Sequence, residues 1–253
     1  MAIKRQIGKG ECNINPGIDM GCLVGGNHAL QFDKRGLGNW LKFDQLFAKH
    51  KAVRPKAKLH TVIHLEYPAS GDPALARLIR EWVVDVPIAL DFEWGLDHGA
   101  WSVLCRMFPL ADIPVVQLSL DSSKPPAFHY GLGKSLRELR NRGILIVGSG
   151  NIVHNLAAVV WKDTAYDWAL AFDARIKRLI VSGDHDAIIR YDQFGDAAKA
   201  SVPTAEHFLP LLYILGLQEA GEEVKFFNEK VTLGAISMNS LQVGGDMQSP
   251  NHS

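Results

Sequence analysis

The sequence GILIVGSGNIVHNL, from Gly143 to Leu156, contains the clearest structural signals in the chain. Its apolar run Ile144–Val147 has no polar alternation, which is typical of a strand buried on both faces of a sheet. The small residues that follow would let backbone approach a bound group, since open parallel sheets bind ligands at the carboxyl ends of their strands. His154 is therefore predicted at the mouth of a sheet. A turn whose histidine only caps or packs is an equally good interpretation of this stretch alone.

Other segments predict further strands and helices around this strand. Strands are predicted at Leu59–Ile63, Val86–Leu90 and Ile113–Leu120, and a closing strand at Gly234–Val243. A helix is predicted to begin at Pro73, because apolar residues follow it at helical spacing, and another runs from about Ala127 to Arg142. This alternation of strands and helices predicts an α/β fold, a single domain with helices on both faces of a mainly parallel sheet.

Length and composition indicate the class of protein and its surroundings. The 253 residues are 47% hydrophobic, so one domain is expected over residues 1–253, with residues 1–20 and 245–253 as loosely ordered tails. Lysine plus arginine equals aspartate plus glutamate at 27 each, so neither nucleic acid nor a membrane surface is an expected partner. The unpaired spacing of the cysteines favours a reducing compartment, and a cytoplasmic location is expected; they are Cys12, Cys22 and Cys105.

Three histidines lie at the ends of predicted strands or at the start of a predicted helix. His28 follows a pair of glycines, and His64 closes the second predicted strand. Thr204 is a reasonable helix cap, which puts Glu206 and His207 in the first turn. Neighbouring helical residues point roughly 100° apart, so only one of these two can easily face a given site. For His28 and His64 taken singly, an ordinary loop position is the simpler interpretation.

His98 is flanked by two glycines, which suggests a side chain presented from a loop. Gly95 and Gly99 would bend the backbone on either side of it. The competing interpretation is a helix entry capped by Asp97, which explains the aspartate and leaves the glycines unexplained.

Four ordered motifs give the chain a resemblance to a known family. They are Gly95–Trp101, Pro114–Asp121, Gly148–Leu156 and Pro203–Pro210. Together they resemble the 4,5-DOPA extradiol dioxygenases, a group of the class III ring-cleaving dioxygenases, over about Tyr67 to Gly244. The resemblance implies a three-layer α/β/α domain, a divalent metal held mostly by histidines, and oxidative opening of a small catechol, DOPA-like, by O2. It implies no macromolecular partner, and a monomer or small homo-oligomer is expected.

The resemblance also implies roles for five histidines. His28, His64 and His207 would hold ferrous iron (Fe2+) on one face, which leaves the opposite positions for substrate and oxygen. His154 would act as the acid/base residue, with His98 near the substrate or oxygen, because proton transfer needs a group that titrates near neutrality. If His154 instead joins the metal, four imidazoles would suit zinc (Zn2+) in a closed site.

The amino-terminal part departs from the family pattern. Alignment of the first strand puts Gly25 on the position of the family's first metal-binding histidine, and a shifted alignment puts His28 there. His60 and His64 compete for the second position, and the register favours His64. The family segment that follows this histidine is shortened here, since Glu66 leads directly into Tyr67. Two functions therefore remain open: a metal-dependent extradiol dioxygenase, or a catalytically weak or inactive zinc-binding homologue that keeps the scaffold.

Overall fold

The structure, a computed structural model, describes residues 2–5, 58–62 and 67–244. The strands are β1 (Ala2–Arg5), β2 (Lys58–Val62), β3 (Ala89–Gly95), β4 (Val115–Leu118), β5 (Ile144–Val147), β6 (Val224–Phe227), β7 (Val231–Thr232), β8 (Ile236–Ser237) and β9 (Ser240–Val243). The α-helices are α1 (Pro73–Trp82), α2 (His98–Met107), α3 (Pro126–Ser135), α4 (Asp167–Val181), α5 (His185–Ile189), α6 (Asp196–Ser201) and α7 (Leu209–Leu217). Short 3-10 helices cover Arg137–Arg142, Leu156–Ala158, Tyr191–Phe194 and Ala205–His207. The chain is thus an α/β protein, as predicted.

Five strands form the main sheet, in the order β3-β2-β4-β1-β5. β2 and β3 are parallel, whereas β4 is antiparallel to β2. β1 is antiparallel to both of its neighbours, with Ile3 opposite Val116 on β4 and opposite Ile146 on β5. β4 and β5 therefore run in the same direction, and residues at their carboxyl ends line one cavity.

The mixed sheet corrects the prediction of a mainly parallel one. The strand–helix–strand order constrains β4 and β5, which are joined through α3 and do run parallel to each other. This rule does not constrain β1, which lies between β4 and β5 and runs antiparallel to both. β1 also lies inside the segment 1–20 that was expected to be loosely ordered.

Local sequence explains where the elements around the sheet begin and end. Pro73 is the first residue of α1, as predicted, and the Asp72 carboxylate accepts a hydrogen bond from the Leu75 amide at 2.9 Å. β3 begins at Ala89, later than predicted, because Pro87 has no N–H to donate within a strand. The chain turns into β5 at Gly143, whose φ of 69° favours glycine.

The core is centred on α7, whose nine residues are all buried. A helix that is apolar on every side must lie inside the fold. It packs closely on α3: a Cβ at Gly133 would collide with the Tyr213 backbone, and one at Gly216 would lie 2.5 Å from the Tyr130 carbonyl oxygen. A smaller cluster lies beneath α2 and comprises Tyr67, Ala69, Leu96, Ala100, Leu104 and Val115. In the segments that the structure describes, no helix has the length and apolar character needed to cross a membrane.

A buried carboxylate ties α4 to the carboxyl-terminal strands. Asp173 is 6% exposed, and it accepts hydrogen bonds from the Ser237 hydroxyl at 2.6 Å and the Asn239 amide at 2.5 Å. Burial raises its pKa, although both hydrogen bonds oppose that shift. These bonds fix the segment between β8 and β9. The single strand predicted at Gly234–Val243 is therefore two short strands in the structure.

Replacement of this carboxylate should destabilise the fold. We expect Asp173→Ala to lower the free energy of unfolding by about 2 to 4 kcal/mol, because two buried donors lose their acceptor. The exposed Asp167 on the same helix provides the matched control. Asp167→Ala should change the free energy of unfolding by about 0.5 kcal/mol or less. Urea unfolding followed by circular dichroism measures both. Equal effects of the two substitutions would show that the buried network contributes little.

Candidate active site

One cavity brings together the ends of several elements. Its wall includes His98 from the start of α2, Leu118–Leu120 from the end of β4, Ser149 after β5, and His207 with Pro210 before and within α7. The remaining wall is largely apolar. Polar groups that converge on an apolar cavity at strand ends are typical of a ligand site.

His98 enters the cavity from a helix terminus. It is the first residue of α2, and the Asp97 carboxylate accepts a hydrogen bond from the Ala100 amide at 2.8 Å. The expectation of a loop-presented histidine is therefore wrong, and the capped helix entry is confirmed. The cap prevails because an aspartate in extended conformation can satisfy free amides of the first turn. Gly99 packs at ordinary contact distance, since a Cβ there would be 3.4 Å from Asp97 Oδ1.

The turn after β5 packs directly against the backbone of His207. A Cβ at Gly150 would collide with the His207 carbonyl oxygen, and one at Gly148 would lie 2.8 Å from Ile214 Cγ1. The Asn151 amide donates a hydrogen bond to that same carbonyl at 2.7 Å. The small residues were expected to admit a bound group, and they instead admit the segment that carries His207.

The rings of His154 and His207 are stacked. Their centroids are 3.5 Å apart, and their planes differ by 14°. The backbone around His154 is fixed because its amide donates to the Ser201 carbonyl at 2.9 Å. His207 ends a 3-10 helix rather than lying in the first turn of an α-helix, and Thr204 makes no side-chain cap. The Thr204 hydroxyl donates instead to Glu206 at 2.7 Å.

Burial keeps the His154 imidazole neutral. It lowers the pKa of His154 to about 4, the Glu206 carboxylate acts in the opposite direction, and His98 lowers the pKa further. The sequence-based expectation was a group that titrates near neutrality, and this pKa lies well below that. A neutral imidazole has a free lone pair, so it can accept a proton or bind a metal.

The described residues do not by themselves form a complete metal site. His28 and His64 lie outside the described residues, and of His60 the structure describes the backbone within β2. In residues 67–244 and the two short strands, no group of three or more histidine, cysteine, aspartate or glutamate side chains could hold a metal. His154 and His207 fit such a site in their chemistry, because two adjacent imidazoles are suitable donors for iron or zinc.

Two other histidines have partners within the fold, away from the cavity. His129 is fully buried in α3, and its Nδ1 lies 3.0 Å from the Tyr213 hydroxyl. His185 begins the short helix α5 rather than lying in a turn, with Asp184 as its cap. Its Nδ1 lies 3.0 Å from the Tyr130 hydroxyl.

Comparison with known proteins assigns the chain to a family. A family model described as the catalytic LigB subunit of aromatic ring-opening dioxygenase matches residues 41–242. The chain belongs to the LigB family. The matched span contains His64, His98, His154 and His207, whereas His28 precedes it.

Similar proteins identify the class of reaction of this LigB-family chain. It is 45% identical over 185 residues to the 4,5-DOPA dioxygenase extradiol of Escherichia coli (strain K12), covering 70% of this chain and 68% of that protein. A protein of the same description from Beta vulgaris is 37% identical over 181 residues, with the same coverage. The crystal structure of an uncharacterized protein from Escherichia coli K12 has a TM-score of 0.69 at 40% identity, covering 75% of this chain and 81% of that one. The chain is an extradiol ring-cleaving dioxygenase, and the inactive-homologue alternative is not favoured.

The contact between Gly150 and His207 should be essential for activity. We expect Gly150→Ala to lower kcat/KM for catechol opening by about 100-fold, because the added methyl displaces the segment that carries His207. Oxygen uptake by the iron-loaded protein measures this effect.

The matched control is another glycine of the same domain. Gly131 lies in α3 and has no atom within 4 Å of an added Cβ, so Gly131→Ala should leave kcat/KM unchanged. Full activity in Gly150→Ala would show that the position of His207 tolerates displacement.

Proposed function

We propose that the chain opens the ring of a small, DOPA-like catechol next to its two hydroxyls, with O2 as the second substrate. The observation that carries this proposal is the convergence of three histidines: His98 and His207 line one cavity, and the His154 ring stacks on His207. The names of the relatives support DOPA-like substrates, since both proteins at 45% and 37% identity are described as 4,5-DOPA dioxygenases.

The proposed metal ligands are His28, His64 and His207. His207 is supported by its place in the cavity wall, and His64 and His28 by their alignment with the metal-binding positions of the family pattern. When bound, ferrous iron would supply the Lewis acid and redox centre for oxygen chemistry. Zinc (Zn2+) would suit the same imidazoles, with His154 as a fourth donor.

His154 is proposed to move protons. Because its imidazole is neutral, a ring nitrogen can accept the proton of a catechol hydroxyl and later return it to the opened product. The nearby Glu206 carboxylate raises the pKa of His154 and so favours the protonated ring, whereas His98 disfavours it. His98, which also lines the cavity, is proposed to contact the substrate or oxygen.

Apolar side chains would hold the aromatic ring and exclude water. They are Val103, Leu104, Leu118, Leu120, Val147 and Pro210. A planar ring bound between such side chains leaves its two hydroxyls free for polar partners. Exclusion of water strengthens the electrostatic effect of the histidines on the reacting groups.

The proposed setting of the enzyme follows from its sequence. We infer one domain over residues 1–253, with helices in layers on both faces of the sheet, acting in the cytoplasm on aromatic compounds as a monomer or small homo-oligomer. The net charge of zero and the unpaired cysteines support this setting. Neither nucleic acid nor a membrane is a proposed partner.

Anaerobic reconstitution with Fe2+ tests the activity. After metal loading, we expect a catechol panel to cause stoichiometric oxygen uptake and the absorbance of a ring-opened product, with DOPA-like members fastest. Protein loaded with Zn2+ is the control and should show neither, because zinc has no redox chemistry. Iron-loaded protein that consumes no oxygen with any catechol would instead support the inactive homologue.

Substitution of single histidines should separate metal binding from proton transfer. We expect His154→Ala to lower kcat by about 100-fold or more while most of the iron is retained, as is usual when a general acid/base is lost. The proposed ligand variants should lose the iron itself, because two imidazoles do not complete a coordination sphere. These variants are His28→Ala, His64→Ala and His207→Ala.

Metal analysis of the purified variants gives the readout. His60→Ala is the matched control for His64, since it removes an imidazole four residues away, and it should retain both iron and activity. Loss of iron from His60→Ala with retention in His64→Ala would reverse the two positions. Equal loss from His154→Ala and His207→Ala would make His154 a ligand.

A further inference from the structure

Gln117 is a buried polar residue inside an otherwise apolar strand. It is 3% exposed on β4, where its neighbours Val116 and Leu118 are fully buried. β4 is paired on both sides at this point, with Ala2 of β1 and His60 of β2 opposite Gln117. The backbone that carries the Gln117 side chain is therefore held on both sides.

Both ends of the Gln117 amide bind Asp97, the residue before His98. Its Oε1 accepts a hydrogen bond from the Asp97 backbone amide at 2.8 Å, and its Nε2 donates to Asp97 Oδ2 at 2.8 Å. The other carboxylate oxygen of Asp97 accepts from the Ala100 amide at 2.8 Å. Backbone and side chain of Asp97 are thus both fixed, and both carboxylate oxygens already have partners.

We propose that Asp97 and Gln117 are positioning residues that fix His98 in the cavity. This inference rests on the proposed role of His98 in ring opening. His98 follows Asp97 directly and begins α2, so a shift of Asp97 moves the histidine with it. Two of the three hydrogen bonds join Asp97 to the central strand β4, and the third joins Asp97 to the first turn of α2; together they determine where the imidazole enters the cavity. Asp97 lines the cavity as well. Its carboxylate oxygens accept hydrogen bonds from Gln117 and Ala100, so we assign the carboxylate a role in fixing α2 rather than in contacting the substrate.

An exchange of the two polar groups tests the pair. In Gln117→Glu, a carboxylate oxygen would face Asp97 Oδ2, and in Asp97→Asn two amide N–H groups would face each other. In the double variant Asp97→Asn/Gln117→Glu, all three hydrogen bonds can form again. The glutamate accepts from the backbone amide and from the asparagine side chain, and the asparagine oxygen still accepts from Ala100.

We expect each single variant to lower kcat by about 100-fold with little change in KM, since a displacement of about 1 Å has this effect on a reacting group. The double variant should return kcat to within about tenfold of the original. Gln117→Met, which keeps the volume and removes both bonds, should match the single variants if Gln117→Glu fails to fold. Unchanged kcat in Gln117→Met, or failure of the double variant to recover, would overturn the proposal.

A His98→Ala background separates positioning from general structural damage. There, Gln117→Met should lower kcat by less than about twofold, because the group through which it acts is already absent. The same large loss in both backgrounds would contradict a role through His98.

The ring signals of His98 in nuclear magnetic resonance spectra give a readout independent of activity. They should shift in each single variant and return in the double variant. Unmoved signals in the single variants would refute the positioning role whatever the activity. If the unsubstituted protein opens no catechol ring but the single variants show these shifts, the proposed function is refuted and the positioning role stands.

Discussion

The site depends on a close backbone contact between the turn after β5 and the segment that carries His207. Gly150 has no room for a side chain beside the His207 carbonyl, and the Asn151 amide donates to that carbonyl at 2.7 Å. A hydrogen bond between backbone groups fixes position more firmly than side-chain packing, since neither group can choose another rotamer. His207 is therefore held by the sheet itself, and α7 continues from it into the core.

The second constraint is the burial of imidazoles next to each other. Two imidazole rings stacked at 3.5 Å cannot both be positively charged without strong repulsion. Desolvation further disfavours the charged form of His154. The neutral His154 imidazole keeps a lone pair that can bind a metal or accept a proton. Glu206 partly opposes the lowering of the His154 pKa by burial.

The sequence predicted those features that arise from local patterns. The strand Ile144–Val147 and the first helical position at Pro73 are confirmed, because apolar runs and proline restrict the backbone locally. The expectation that this strand is buried on both faces is wrong at Leu145, which is 38% exposed. The placement of β1 was missed, since four residues at a terminus carry no signal for their partner strands. Gln117 was also missed: its hydrogen bonds to Asp97 span 20 residues, and only the polar residue within an apolar run suggested them.

The histidines of the site differ in what holds them. His207 is fixed by the turn after β5, His98 by the Asp97–Gln117 pair, and the His154 backbone by its bond to Ser201. All three lie within the span matched by the family model, as does His64, whereas His28 precedes it. Two imidazoles define neither the coordination number nor the geometry of a metal site, so the proposed affinity for iron depends on the amino-terminal histidines. Metal binding would then join the start of the chain to a cavity that the rest of the fold already forms.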